Sequence, residues 1–175
     1  MTETRQVQIL SGISGSGKST FAKNLQAFCH VQNPTFSVVV SADDFFMGLN
    51  GYKFDASRLS DAHAYCFREF FRAMQEDHIF HHTDGEVVHL PNNLVIVDNT
   101  NTTVEEIAPY VLGAAAFGYK CEIVTVSVSN NDDLQKCIDR NAHKVPAKSI
   151  IAQQNRILAR KLPPYWNART VAARF

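Results

Sequence analysis

Four groups of polar residues in this 175-residue chain have the types and spacing to do chemistry together. The first is Gly12-Ile13-Ser14-Gly15-Ser16-Gly17-Lys18-Ser19-Thr20, which fits G-x-x-x-x-G-K-[ST]. Glycines in such a loop let backbone N–H groups turn inward around phosphate oxygens, and the helix N-terminus that follows adds its partial positive charge. Lys18 then reaches the β- and γ-phosphates of ATP or another nucleoside triphosphate, and the Ser19 hydroxyl ligates Mg²⁺. Gly12, Ser14, Gly15, Ser16, Gly17 and Thr20 complete the cradle. The second group is Ser41-Ala42-Asp43-Asp44. A carboxylate such as Asp43, facing the cradle, takes the proton of a hydroxyl as its oxygen attacks phosphorus, whereas Asp44 reads more simply as a helix cap. The third is Asp98-Asn99-Thr100-Asn101 and the fourth is Arg140-Asn141-Ala142-His143-Lys144-Val145-Pro146. Asp98 ends an apolar run, as does an acid that holds Mg²⁺ through water.

These residues work together only if the elements between them converge. Residues 7–10, 36–40, 94–97 and 122–128 are short apolar or β-branched runs, and each reads as a strand. Helical segments separate them: 18–30, a stripe through Leu59, Ala62, Cys66, Phe70 and Ala73, then Val104, Ile107, Ala108, Val111 and Leu112. A capping-box spacing at Thr102 and Glu105 opens the third helix, and residues 134–140 and 150–161 supply the last two, the latter entered through Pro146. Strands apolar on both faces and alternating with helices predict an α/β fold of three layers, with a core four-stranded parallel sheet flanked by helices. Ligands of such sheets bind beyond the carboxyl ends of the strands, where the first three polar groups fall.

Composition narrows the class further. Lys plus Arg number 17 and Asp plus Glu 17, so the chain is formally neutral and lacks the broadly basic surface of most nucleic-acid-binding domains. No apolar run approaches the ~20 residues of a bilayer span, so no membrane partner is expected. The start shows no secretory signal. Cys29, Cys66, Cys121 and Cys137 have no CxxC spacing, which suits free thiols in a reducing cytoplasm. Residues 1–175 read as a single domain, and no N-K-x-D signature of a GTPase is present.

In order and spacing, the four motifs over residues 6–160 resemble the P-loop polynucleotide kinase family, which includes phage 5′-hydroxyl kinases and kinase domains of RNA-repair enzymes. The stretch Tyr52-x-Phe54…Leu59-x-x-Ala62-His63 is similar to a subset of that family. The resemblance implies a P-loop kinase fold with a short lid at 140–147, in which Asp43 is the general base. It implies that Asp98 helps organise the acceptor pocket, in place of the metal role, with Asn99, Asn101 and His63 beside it. Arg140 becomes the lid arginine that neutralises the transferring phosphoryl group; His143 and Lys144 are candidates to share this role, and Arg156 is a weaker one. The activity implied is ATP- and Mg²⁺-dependent transfer of the γ-phosphate to the 5′-hydroxyl end of a nucleic acid. Open alternatives are another hydroxyl (a hydroxymethylated DNA base, a nucleoside or a small molecule, as in zeta-toxin-like kinases) and a nucleotide-binding module that does not turn over. One departure stands out: the phage enzymes carry an arginine after the Asp pair to hold the acceptor phosphate, but here Phe45-Phe46-Met47 follows, with Arg58 and Arg68 the nearest substitutes. His63 also reads as a packed histidine on its stripe. A segment at 78–90, rich in histidine, reads as a hairpin insert.

Overall fold

The computed structural model describes residues 5–32, 36–49, 51–81 and 87–173. In chain order the elements are β1 (Gln6–Ser11), α1 (Lys18–Gln32), β2 (Phe36–Val40), the two-residue strands β3 (Met47–Gly48) and β4 (Gly51–Tyr52), then α2 (Leu59–Gln75). They continue with β5 (Asp77–His81), β6 (Val87–Asp98), α3 (Val104–Ala116), β7 (Lys120–Ser127), α4 (Asn131–Asp139), α5 (Ala147–Ala159) and β8 (Ala168–Ala172). The main sheet runs β2-β6-β1-β7-β8, and every neighbouring pair in that order is parallel. It is a three-layer α/β fold, with five parallel strands where the apolar runs predict four. The extra strand escapes a periodicity reading because Ala168–Ala172 is a short, mostly exposed edge strand with one large apolar side chain, Val171. β5 adds an antiparallel partner along the start of β6, Asp77 opposite Pro91 and His81 opposite Val87. Residues 82–86 of the histidine-rich segment lie outside the described residues.

The period of two along the central strands divides the core. Val7 and Ile9 of β1, with Val95 and Val97 of β6, pack against Ala62, Cys66 and Phe70 of α2 and Ile107 of α3. Leu10, Leu94 and Ile96 point the other way, onto Ala22 of α1. A third cluster, Ile13, Val128, Cys137 and Ile150, seats the glycine-rich loop on α4 and α5. The predicted stripe of α2 is buried except for Leu59, which is exposed. On α3 the buried positions are Ile107, Tyr110, Gly113 and Ala114, while Leu112 faces out. Its capping box lies one residue later than the spacing suggests: Thr103 accepts from the Glu106 N–H, and Glu106 reaches back to the cap. Thr102 also bonds to the Glu106 carboxylate, so both threonines share one glutamate.

Arg160, at the end of α5, ties the strand ends together. Its guanidinium donates to Ser11 Oγ at 2.7 Å, to the Asn101 carbonyl at 2.7 Å and to Thr125 Oγ1 at 2.6 Å. It therefore joins β1, the loop after β6, and β7. Replacing it (Arg160→Leu) should remove three charge-assisted bonds, leaving the Ser11 hydroxyl still donating to the Asn101 carbonyl, and lower unfolding stability by about 2–4 kcal/mol, read as an earlier midpoint in urea at unchanged slope.

Candidate active site

The glycine-rich loop connects β1 to α1 as its pattern requires, and its conformation depends on one close approach. Gly15 has φ +81, and a Cβ there would lie 2.0 Å from the Cys137 carbonyl oxygen of α4. Only glycine fits. Lys18 is almost wholly buried, and its Nζ donates to the Ile13 carbonyl at 2.8 Å. Burial lowers its pKa, opposed by the nearby charges of Asp98 and Asp43. The Ser16 hydroxyl is buried with no hydrogen-bond partner among the described residues. At the outer side of the loop, the Ser14 N–H donates to Gln153 Oε1 of α5 at 2.9 Å.

Asp43 lies on a 3₁₀ turn, Ala42–Phe46, that follows β2. The Ser41 hydroxyl caps this turn by accepting the Asp43 N–H, and itself donates to the Asp98 carbonyl at 2.9 Å. The Asp43 carboxylate is half exposed toward the glycine-rich loop. Tyr52 donates to its Oδ1 at 3.0 Å, and His143 Nε2 lies 3.5 Å from its Oδ2. Asp44 turns away into a separate cavity with Tyr65, Glu69 and Arg72, where burial raises its pKa. Of the Phe pair, Phe46 is core and Phe45 packs against it, with the Arg58 guanidinium 4.5 Å over the Phe45 ring. Arg58 is further engaged by Asp61 at 3.2 Å, so it is committed to the surface of α2.

Two clefts meet here. The smaller, about 190 Å³, runs along Gly15, Lys18, Ser19 and Thr20 to Asp98 and Arg140. The larger, about 450 Å³, is walled by Tyr52, Phe54, Leu59, His63, Val145 and Pro146. Asp43 and His143 line both. Arg140 caps the C-terminus of α4 and opens onto the smaller cleft only. Beyond it, a turn closed by the Lys144 N–H to the Asn141 carbonyl carries His143 to Asp43. His63 is exposed and lines the larger cleft, so it is not the packed histidine its stripe allows.

Of the residues expected in the acceptor pocket, His63 and Asn99 line the larger cleft, whereas Asp98 and Asn101 do not. Asp98 lines only the smaller cleft, where its carboxylate accepts the Ser19 hydroxyl; burial raises its pKa. Asn99 reaches both clefts, but its Oδ1 accepts the Ala42 N–H and its Nδ2 faces Cys66 Sγ and Tyr110 Oη. Asn101, in a left-handed conformation at φ 41, is buried and donates to the Leu10 carbonyl. Both asparagines therefore hold the loop, Asn99 while also lining the larger cleft. Arg156, the weaker lid candidate, donates to Thr102 Oγ1 at 2.8 Å and lines neither cleft. The residues missed were Gln153 and Arg160, each of which reads as an ordinary polar position on an amphipathic helix. Ser19 and Asp98, joined by a hydrogen bond in the smaller cleft, could together ligate a divalent cation. Among the described residues no group of three or more His, Cys, Asp or Glu gathers into a metal cage. A cation here would draw its remaining ligands from phosphate and water, as Mg²⁺ does.

A five-stranded parallel sheet flanked by helices, with a phosphate-type loop after β1 and an acid after β2, defines the P-loop kinase fold. The family profile described as AAA domain matches residues 7–161, and the chain belongs to that family. It is 31% identical over 112 residues to NEDD4-binding protein 2 of Homo sapiens, covering 64% of this chain but only 5% of that much longer protein. The fold is similar to that of Mycobacterium tuberculosis APS kinase CysC in complex with AMPPNP and APS, with TM-score 0.60, 15% identity, and 97% of this chain and 88% of that one covered. It is also similar to Chaetomium thermophilum Kti12 in complex with ADP-AlF3, with TM-score 0.58, 14% identity, and 95% and 88% covered. No helix among the described residues is long and apolar enough to cross a membrane.

The partly buried carboxylate of Asp98 has a consequence for stability. Its folded pKa is raised, so the stability it confers when protonated is lost as pH rises through that value, and at neutral pH the ionised form is a net cost. Asp98→Asn should raise the thermal midpoint at pH 7, and this gain over wild type should shrink as the pH is lowered toward 4.

Proposed function

We propose that this chain is a nucleoside-triphosphate-dependent phosphotransferase that moves a γ-phosphate to a hydroxyl, with the 5′-hydroxyl end of a nucleic acid as the favoured acceptor. The observation that carries this is the position of Asp43, whose carboxylate lines both the cleft along the glycine-rich loop and the larger one beside it. A group between donor and acceptor sites is where a general base must be.

The triphosphate lies along residues 12–20, with its γ-phosphate toward Asp43. Lys18 exchanges the Ile13 carbonyl for phosphate oxygens, and Arg140 faces the same cleft from the lid to offset charge on the transferring group. Mg²⁺, when bound by Ser19 and Asp98, would neutralise phosphate charge. Asp43 accepts the acceptor's proton as its oxygen attacks phosphorus, the bond to the bridging oxygen breaks, and the nucleoside diphosphate leaves. The sequence resemblance favours a polynucleotide end. A second reading, a nucleoside or other small hydroxyl compound, is supported by the larger cleft: the full cation among its lining residues is Lys144, and no arginine lines it to hold an acceptor phosphate.

Wild type given labelled ATP, Mg²⁺ and a 5′-hydroxyl oligonucleotide should label the 5′ end. Asp43→Asn should reduce the rate by about 10²–10⁴-fold while ATP still binds. Label appearing on nucleosides but not on the oligonucleotide would replace the first acceptor by the second. ATP binding without transfer to any hydroxyl would refute the phosphotransferase reading.

A further inference from the structure

The Asp43 carboxylate has one contact for each oxygen, and both come from outside its own turn. Tyr52 takes Oδ1 at 3.0 Å, His143 stands 3.5 Å from Oδ2, and the Tyr52 and His143 rings pack together with centroids 4.6 Å apart. Tyr52 reaches this position because β3 and β4 pair immediately after the 3₁₀ turn, Met47 opposite Tyr52, and because the Lys53 N–H donates back to the Phe46 carbonyl. His143 arrives from the lid. Burial, and next the charge of Asp43, hold the Tyr52 phenol well above its ordinary pKa, so near neutrality it is a donor and cannot compete as a base.

We infer that Tyr52 and His143 are positioning residues that divide the Asp43 carboxylate: Tyr52 fixes Oδ1, and His143 covers Oδ2, the atom that receives the acceptor proton. This rests on the phosphotransferase reading above. In the transfer, the acceptor O–H bond breaks and its proton goes to Oδ2 as the oxygen–phosphorus bond forms. The electron pair of the broken phosphorus–oxygen bond departs on the diphosphate. Tyr52 keeps its proton throughout. Because His143 is exposed and carried by the lid, the acceptor hydroxyl can displace it, and until then the imidazole shields that oxygen in part, the carboxylate being half exposed.

Tyr52 also packs beside Phe46, with ring centroids 6.1 Å apart, so a purely structural role is the competing explanation. Tyr52→Phe preserves that packing and removes only the hydroxyl. It should lower kcat about 10- to 100-fold with the KM for the triphosphate unchanged, and have no further effect in an Asp43→Asn background. His143→Ala should raise acceptor-independent triphosphate hydrolysis several-fold. A readout that needs no turnover is the NMR signals of the Tyr52 and His143 rings, which should shift together in Asp43→Asn but not in the surface control Asp61→Asn. Equal losses from Tyr52→Phe in both backgrounds, unchanged hydrolysis in His143→Ala, or ring signals unmoved by Asp43→Asn would each overturn the inference. Were wild type to transfer phosphate to no hydroxyl, the phosphotransferase reading would fail, and the ring signals would still decide whether the contacts exist.

Discussion

At the carboxyl ends of β1, β2 and β6 the backbone runs out of ladder partners, and the loops leaving those strands must satisfy one another. The Gly12 N–H donates to the Thr100 carbonyl, Asn101 to the Leu10 carbonyl, and Ser41 to the Asp98 carbonyl. The Ala42 N–H completes the set by donating to Asn99. These bonds fix three loops, far apart in sequence, as one platform. Lys18, Asp43 and Asp98 project from it, so their separation is set by backbone pairing rather than by side-chain choice. Arg160 fastens the platform to β7 from the opposite side. Chemistry therefore sits on the least regular part of the molecule, where it is nonetheless heavily cross-bonded.

The same platform explains what could be read from the chain directly. Residues 12–20 and Asp43 were legible because each combines a local pattern with a strand end: glycine spacing in one case, an acid after a β-branched run in the other. The four strongest strands were legible from apolar runs alone. Direction was not. Whether Asn99 and Asn101 point into a cleft or into the protein depends on the 3₁₀ turn and on β1, which no local spacing encodes. Asp98 is similar, because its side follows from the Ser19 hydroxyl in the first turn of α1. β8 and Arg160 were illegible for a related reason: an exposed edge strand and a single long side chain both take their meaning from distant partners.

Electrostatically the site is under tension. A buried lysine with a lowered pKa sits near an aspartate whose pKa is raised by burial, so each charge is only partly compensated by the other. A core selected for stability alone would replace both by apolar groups. Retained together at a strand end, they suit a ligand that brings its own negative oxygens and cation, and the protein gives up some stability to stay ready for it.

The contact between Gly15 and the Cys137 carbonyl has a mechanical side. α4 rests directly on the glycine-rich loop, and Arg140 lies three residues on, about 4.5 Å further along the axis. Loop and helix then behave as a pivot and a short, stiff lever. A displacement of a few tenths of an ångström at the loop has no gap to absorb it, so it must tilt the helix and move the arginine at its tip. A ligand that shifted the loop would be felt at the arginine without any hinge, and the fit at Gly15 sets the backlash of the device.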